Sequence, residues 1–319
     1  MTKKNKTFAP LNPEQTVSEA FEAILRHNFN YLQEWELAAR SWDNIEGVHQ
    51  TRVSFRRMRS ALSAFRSAVP RKTSKTWSEE LRYLANQLGM ARDLDVFIDE
   101  GLGAVQGKLP LRGEESITAI AHRHRELAYQ GVNAMLDSDR YAQFKTTFPA
   151  WLDGKEWEQA DLKMKHRKTL SSNIVPFSRK LLDGLERRVL EAGSHVDKES
   201  AQAMHQLRIE CKKLRYAAEF FIPVLIGLDE FISHMKRLQD LLGIMNDVSV
   251  MQNLLEMMLE NEDNHEVENE DNHEVFEYAG GLVGWRTRQY YEILDTFDDR
   301  WEELINAKHP WWRKHTAIA

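Results

Sequence analysis

His49, Arg52, Arg56, Arg57 and Arg59 lie within one stretch, VHQTRVSFRRMRSALSAFR (Val48–Arg66), that contains no carboxylate. Arginine suits phosphate recognition because its planar fork makes paired hydrogen bonds to phosphate oxygens and cannot lose its charge. A histidine among arginines adds a proton donor that titrates near neutrality, or a nitrogen able to carry phosphate covalently. The same residue types recur at the same spacing 156 residues later, as His205, Arg208, Lys212, Lys213 and Arg215 in MHQLRIECKKLRYAAEFF. A second block then follows each basic one: LRYLANQLGMARDLDVF aligns with MKRLQDLLGIMNDVSVM at an offset of 154, pairing Arg82 with Lys236 and Asp93 with Asp247. A third, shorter match sets DRYAQF against DRWEEL. Three blocks in one order indicate an internal repeat.

On a helix, at 100° per residue, His49, Arg52, Arg56 and Arg59 fall within an arc of about 80°. Phe55, Met58, Leu62 and Phe65 form an apolar stripe about 120° round from its middle. In the second copy Leu207, Cys211, Leu214, Ala218 and Phe221 repeat the apolar stripe. The first basic stripe has no acidic residue one turn on, and the second has only Glu219, one turn after Arg215. Like charges a turn apart repel by a few tenths of a kcal/mol per pair, so such stripes are most stable with an anion lying along them. Cations spaced turn by turn suit a repeating polyanion better than one small phosphate.

Other chemistry is less well served. Neither His49 nor His205 has a second His, Cys or carboxylate at i+4 on its arc, so no metal site is expected there. His122 and His124 are two apart, which on a helix points them away from each other. Asp93, Asp95 and Asp247 are carboxylates of the type that hold a divalent ion, but Asp93 and Asp247 follow their basic helices at nearly equal distance and are better placed to orient arginines. No P-loop, glycine-rich phosphate cradle, nucleophile elbow or triad spacing is present, so neither catalytic residues nor a cofactor are assigned.

The elements that must position these side chains read as helices almost throughout. Apolar residues recur at three and four, glycine and proline number only 15 and 8 in 319 residues, and no strand-length alternation occurs. Helices are expected from Pro13 (capped by Asn12) to about Ser41, and from a capping box at Asp43 and Glu46 to before Pro70. Further ones fit Ser74–Glu100, Gly113–Asp137 and Ser138–Phe148, the last ending at Pro149. The series resumes with Asn173–Gly193, Asp197–Ile222, Leu228–Leu259, Val275–Leu294 and Asp298–Ala307. The expected fold class is all-α: two antiparallel helical bundles related by internal duplication and pseudo-two-fold symmetry. Residues 13–152 form the first bundle, with its basic helix at 43–68. A charged connector spans 153–170. Residues 171–319 form the second bundle, with its basic helix at 197–222 and an acidic low-complexity loop at 260–275.

That loop, ENEDNHEVENEDNHEV, carries eight acidic residues and no Lys or Arg; without it the net charge of -6 turns slightly positive. Its His265 and His273 read as loop residues rather than a site. The single cysteine, Cys211, excludes an internal disulfide. The opening MTKKNKTFAPLNPEQ has no apolar stretch of the signal-peptide kind, and the most apolar run, FFIPVLIGL, is too short to span a bilayer. The expectation is a cytoplasmic protein that does not engage membranes.

The paired H-x-x-R-x-x-x-[RK]-[RK]-x-R blocks, each followed by L-G-x-x-x-D, resemble the CHAD family, the conserved histidine α-helical domain, over about Pro13 to Trp312. The resemblance implies two antiparallel bundles, a basic groove where they meet, and binding of inorganic polyphosphate in association with polyphosphate granules and their proteins. Carried over position by position, the polyphosphate-binding residues are His49, Arg52, Arg56, Arg57, Arg59, His205, Arg208, Lys212, Lys213 and Arg215, with Arg82 and Lys236 at the margin. Relatives fused to a CYTH triphosphate-processing domain exist; this sequence contains none, and no hydrolase activity carries over. Two alternatives stand beside this binding module: a phosphocarrier enzyme using His49 or His205, and a nucleic-acid-binding protein using the same stripes. Nucleic acid is disfavoured because the stripes lack interleaved exposed aromatics. If about six cations contact a polyanion, log affinity should fall against log salt with a slope of order -4, at roughly 0.7 per contact as for single-stranded nucleic acid; binding measured across a salt series checks this, and a flat profile excludes the basic stripes as the site.

Overall fold

The computed structural model of the chain describes residues 8–263 and 270–312. Among these residues the regular structure is helical, and the one strand-like pairing is an isolated bridge between Thr16 and Asn173. The protein is all-α. The first helix, α1 (Val17–Glu36), is entered through a capping box: the Thr16 backbone N–H donates to Glu19 at 2.8 Å, and the Glu19 N–H donates to the Thr16 hydroxyl at 3.2 Å. That reciprocal cap starts the helix four residues after the expected Pro13, leaving Asn12 to hold only a local turn with Glu14.

Two 3₁₀ turns, Ala38–Arg40 and Trp42–Asn44, lead into α2 (Glu46–Ala64). The expected capping box at Asp43 and Glu46 is not formed. Asp43 instead donates its N–H to Ser41, and the Glu46 carboxylate accepts from the Gln50 side chain at 2.7 Å. Beyond Pro70 the chain forms α3 (Arg71–Gln87) and α4 (Gly89–Val96), then a π-type turn at Phe97–Leu102 and the single turn α5 (Gly103–Val105). Next are α6 (Glu114–Leu136) and α7 (Asp139–Asp153). The latter continues through Pro149 instead of stopping before it. An interior proline costs about 3 kcal/mol, but Trp151 and Leu152 on the far side are buried. The Phe144, Phe148 and Trp151 rings also stack in series at 5.4 and 5.9 Å. Burying two further large side chains offsets the broken hydrogen bond.

The connector contains α8 (Glu156–Gln159) and α9 (Met164–Leu170). It is followed by α10 (Ile174–Gly193, capped by Asn173) and α11 (Ala201–Phe221, capped by Ser200). Last come α12 (Leu228–Asp263), α13 (Glu270–Leu294) and α14 (Phe297–Ile305). The expected acidic loop at 260–275 is corrected at both ends: α12 runs on to Asp263, and α13 already begins at Glu270. Buried Met258, Leu259, Val275 and Tyr278 anchor the two helices near the acidic segment, so polar residues 260–263 and 270–274 extend helices already held in place. Residues 264–269, including His265, and the final residues 313–319 lie outside the described part. Among the described residues no helix is long and apolar enough to cross a membrane.

Helix α2 packs between α1 and α3, α11 packs between α10 and α12, and α2 and α11 also touch each other. The apolar stripes read from the sequence are buried: Phe55, Met58, Leu62 and Phe65 on one side, and Leu207, Cys211, Leu214, Ala218 and Phe221 on the other. They meet at Phe65, whose ring centroid lies 5.1 Å from Phe177 and 6.1 Å from Phe221. One large apolar cluster therefore spans residues on both sides of the connector. A second cluster joins Leu94, Phe97 and Ile117 to Met251, Leu254 and Tyr278.

The entry of α2 is set by a close backbone approach. A Cβ on Gly47 would come within 2.1 Å of the Ala38 carbonyl oxygen, and backbone cannot yield as a side-chain tip does. Gly47→Ala should destabilise the protein by about 3 kcal/mol, the upper part of the usual overpacking range, measured by denaturant titration; an unchanged midpoint would show that the 3₁₀ turns at 38–44 shift freely.

Candidate functional site

The contact between α2 and α11 brings two cationic faces together, and a single buried carboxylate joins them. Glu219 is 3% exposed and accepts a hydrogen bond from Arg57 across the interface at 2.7 Å. Arg215, one turn before Glu219 on α11, approaches the same carboxylate at 3.5 Å. Arg57 and Arg215 are thus withdrawn into the interface. Lys213 is held by Glu210 on its own helix at 2.7 Å. Near the other end of α2, Arg52 donates to Asp93 at 3.3 Å and to the Gly89 carbonyl at 3.5 Å, so the α3–α4 corner orients it. Asp247 acts on Arg208 and Lys212, opposing the fall in their pKa values. Both aspartates that follow the basic helices therefore serve cations. Asp95 does not: it is buried, accepts from the Tyr129 hydroxyl at 2.7 Å, and is pushed up to about 6 by desolvation. Among the described residues no group of three or more His, Cys, Asp or Glu is arranged to hold a metal ion.

The remaining cations are crowded against one another. Burial pulls the Arg56 guanidinium below its ordinary pKa, as do Arg215, Arg52 and Arg57. The Arg56 guanidinium also lies 5.2 Å from the centre of the Tyr216 ring, with Arg215 at 5.0 Å from the same ring; such cation–π contacts partly replace lost hydration. Arg59 is lowered by burial and by the neighbouring Arg82, and Arg208 by burial. Lys212 is lowered furthest among them, to about 7, by burial and then by Arg208, Arg56 and Arg215. The Nε atoms of Arg56 and Arg59 are buried with no hydrogen-bond partner among the described residues.

These side chains border a cleft of about 970 Å³ between the C-terminal part of α2, α10 and α11. Of the twelve site residues expected from the sequence, Arg56, Arg59, Lys212 and Lys213 line it. Arg66, Lys180 and Arg188 line it as well, and among the described residues no carboxylate does. The three additional cations were not singled out from the sequence. Arg66 closes the basic stretch but falls off its arc, and Lys180 and Arg188 belong to an ordinary amphipathic helix in which Asp183, Arg187 and Glu191 sit nearby. Nothing local separates them from a solvated face; the packing of α10 alongside α11 does.

The other expected residues occupy different surroundings. His49 is half-buried beside Arg92, a cation the repeat did not mark, and lowered to about 4 by burial first and Arg92 second. It is therefore a neutral hydrogen-bonding group at physiological pH, not a charge gained on mild acidification as a histidine among cations first suggests. Because its folded pKa lies below the ordinary value of about 6.5, its protonation favours unfolding, and stability is lost as pH falls from about 6.5 towards 4. His205 is exposed near the start of α11. Arg82 is exposed on α3 within reach of Arg59, while Lys236 is exposed on α12 and does not line the cleft.

Comparison with known proteins places this architecture. The CHAD domain model matches residues 23–256. Two uncharacterized proteins from strains of Mycobacterium tuberculosis are 29% identical over 247 residues, covering 73% of this chain and 43% of each relative. The chain thus spans less than half the length of these curated relatives. Among solved structures, the CHAD domain from the plant Ricinus communis superposes with a TM-score of 0.78 at 24% identity, covering 95% of this chain and 98% of that one. PptA from Streptomyces chartreusis superposes with a TM-score of 0.61 at 16% identity, covering 90% and 100%. The family match covers most of the chain, and the CHAD domain structure shares its all-helical fold. The chain belongs to the CHAD domain family.

The division between clasped and crowded cations is measurable as stability. Arg57→Ala removes the 2.7 Å partner of the buried Glu219 carboxylate and should cost about 3 kcal/mol, in the range for breaking a buried pair. Arg59→Ala removes a half-buried charge without a carboxylate partner and should be neutral or slightly stabilising. Denaturant midpoints of the two variants test the contrast, and equal losses would refute it.

Proposed function

We propose that this protein is a binding module for inorganic polyphosphate, held along the cleft bordered by α2, α10 and α11. The observation that carries this reading is that, among the described residues, seven cations and no carboxylate line the cleft. Burial and mutual repulsion work against the charge of Arg56, Arg59 and Lys212 in the absence of a ligand, and an anion between them removes that opposition. A chain of phosphates fits better than one phosphate because the cations are spread over α2, α10 and α11. Beyond the cleft, Arg208 acts on Lys212, and Arg52 and Arg92 act on His49, so that on this reading they extend the contact, with His49 a neutral donor and His205 an exposed one. The CHAD family membership supports the same ligand. On this reading the two halves act as duplicated arms, the protein does no chemistry on its ligand, and its setting is the cytoplasm among polyphosphate granules and their proteins.

Lys212 makes binding depend on pH in a defined direction. Its pKa without ligand is about 7, and a bound polyanion raises it, so the ligand prefers the protonated form. Affinity should be greatest below about pH 7 and fall as pH rises above it, with proton uptake on binding near pH 8. Calorimetry in buffers of different ionisation enthalpy measures that uptake, which Lys212→Arg should abolish while keeping affinity. Arg56→Ala should weaken binding by about 1 to 3 kcal/mol, as for a lost charge-assisted hydrogen bond, without loss of fold; unchanged affinity would move the site elsewhere. After incubation with labelled polyphosphate and denaturation, no acid-labile phosphate should remain on His49 or His205. Stoichiometric label lost in the Gln variants would make the protein a phosphocarrier instead.

A further inference from the structure

We infer that Lys212 is a modification site, acylated at Nζ by small acyl phosphates that the cleft itself captures, and that this acylation turns off binding of the polyanion. The inference rests on the cleft holding phosphate groups, as proposed above. Lys212 lines the cleft and is only half-buried, so a small reagent entering from solvent can reach it. The charged groups acting on it are Arg208 and Arg215 on its own helix, Arg56 on α2, and Asp247 on α12. Three are cations, and the carboxylate has the weakest effect of the four. This surrounding favours the neutral amine, which is the nucleophile; a lysine desolvated beside other cations is activated in this way. The adjacent Lys213 shares the cleft but not the activation, since Glu210 grips its ammonium at 2.7 Å.

The cations that line the cleft select the acylating reagent. An acyl phosphate is a small dianion, and Arg56 and Arg59 both line the cleft with Lys212. With the phosphate held there, the carbonyl carbon is brought to the amine, which is catalysis by proximity. The Nζ lone pair attacks that carbon, the carbon–oxygen bond to phosphate breaks, and inorganic phosphate departs with the electron pair. The proton lost from nitrogen passes to solvent. The product is a neutral amide in the place of a cation, bulkier than the amine and unable to pair with phosphate.

The test is incubation of the full chain with acetyl phosphate at pH 7.5, followed by peptide mass spectrometry at low conversion to rank all lysines. Lys212 should acetylate about tenfold or more faster than the median lysine, and faster than Lys213. Added inorganic polyphosphate should protect it, whereas the uncharged reagent N-acetoxysuccinimide should show a smaller preference. Lys212→Arg should lose the label; Lys212→Gln, an imitation of the acetylated state, should bind polyphosphate at least severalfold more weakly than wild type. If wild-type protein binds polyphosphate but Lys212 is labelled no faster than the median, the inference is overturned and the binding reading stands. If Lys212 is labelled preferentially but polyphosphate neither binds nor protects, the binding reading falls, and with it the claim that acylation controls it.

Discussion

The structure depends on a repulsion that has to be contained. Helices α2 and α11 each place four cations between their histidine and their C-terminal turns, and they pack against each other. Side by side in a partly desolvated interface, such charges oppose association far more than they would in water. Two features hold them there. The apolar stripes on the opposite sides of both helices are buried in a cluster that crosses from one half of the chain to the other, with Phe65 against Phe177 and Phe221. Glu219, contributed by α11, neutralises Arg57 of α2 and Arg215 of its own helix at once.

That arrangement leaves the remaining cations with incomplete compensation. Aspartates on following elements steady two of them: Asp93 holds Arg52 and Asp247 acts on Arg208. Arg56, Arg59 and Lys212 instead face a cleft that no carboxylate among the described residues lines, with their charged forms opposed by burial. A protein selected only for stability would fill such a place with apolar side chains, since buried charge is costly unless paired. Its retention is what the proposed polyanion site explains. On that proposal, the cost borne by the folded core is recovered when an anion enters.

Helix boundaries show where local rules prevail and where they yield. Asn173 caps its helix because its side chain reaches the Val175 N–H, a short-range interaction visible in sequence, whereas Ser200 starts the next helix at Ala201, later than the expected Asp197. Asp43 and Glu46 have the spacing of a cap and do not form one, because Ser41 and Gln50 take up their hydrogen bonds and Gly47 brings the chain against Ala38. Pro149 has the character of a helix terminator and is overruled by the burial of Trp151 and Leu152. The acidic segment, though suited by composition to a loop, is entered by helices from both sides, since its flanks are anchored in the second apolar cluster.

The helical class, the two basic faces, the apolar stripes behind them and the aspartates that serve the arginines were all legible in the amino-acid sequence. Each depends on spacing along one helix or on a pattern repeated at a fixed offset, and both survive in a string of letters. Tertiary structure alone decided which cations are available. Arg57 and Arg59 lie two residues apart on one helix, yet one is clasped by Glu219 and the other lines a cleft. The partner of Arg57 lies 162 residues away, and Lys180 and Arg188 join the lining only because α10 packs alongside α11. The charge state of His49 and Lys212 is likewise a matter of burial and of neighbours from other helices. Solvation and the electric field at a side chain are set by everything packed around it, so residue type and spacing identify the candidates and the fold determines what each one does.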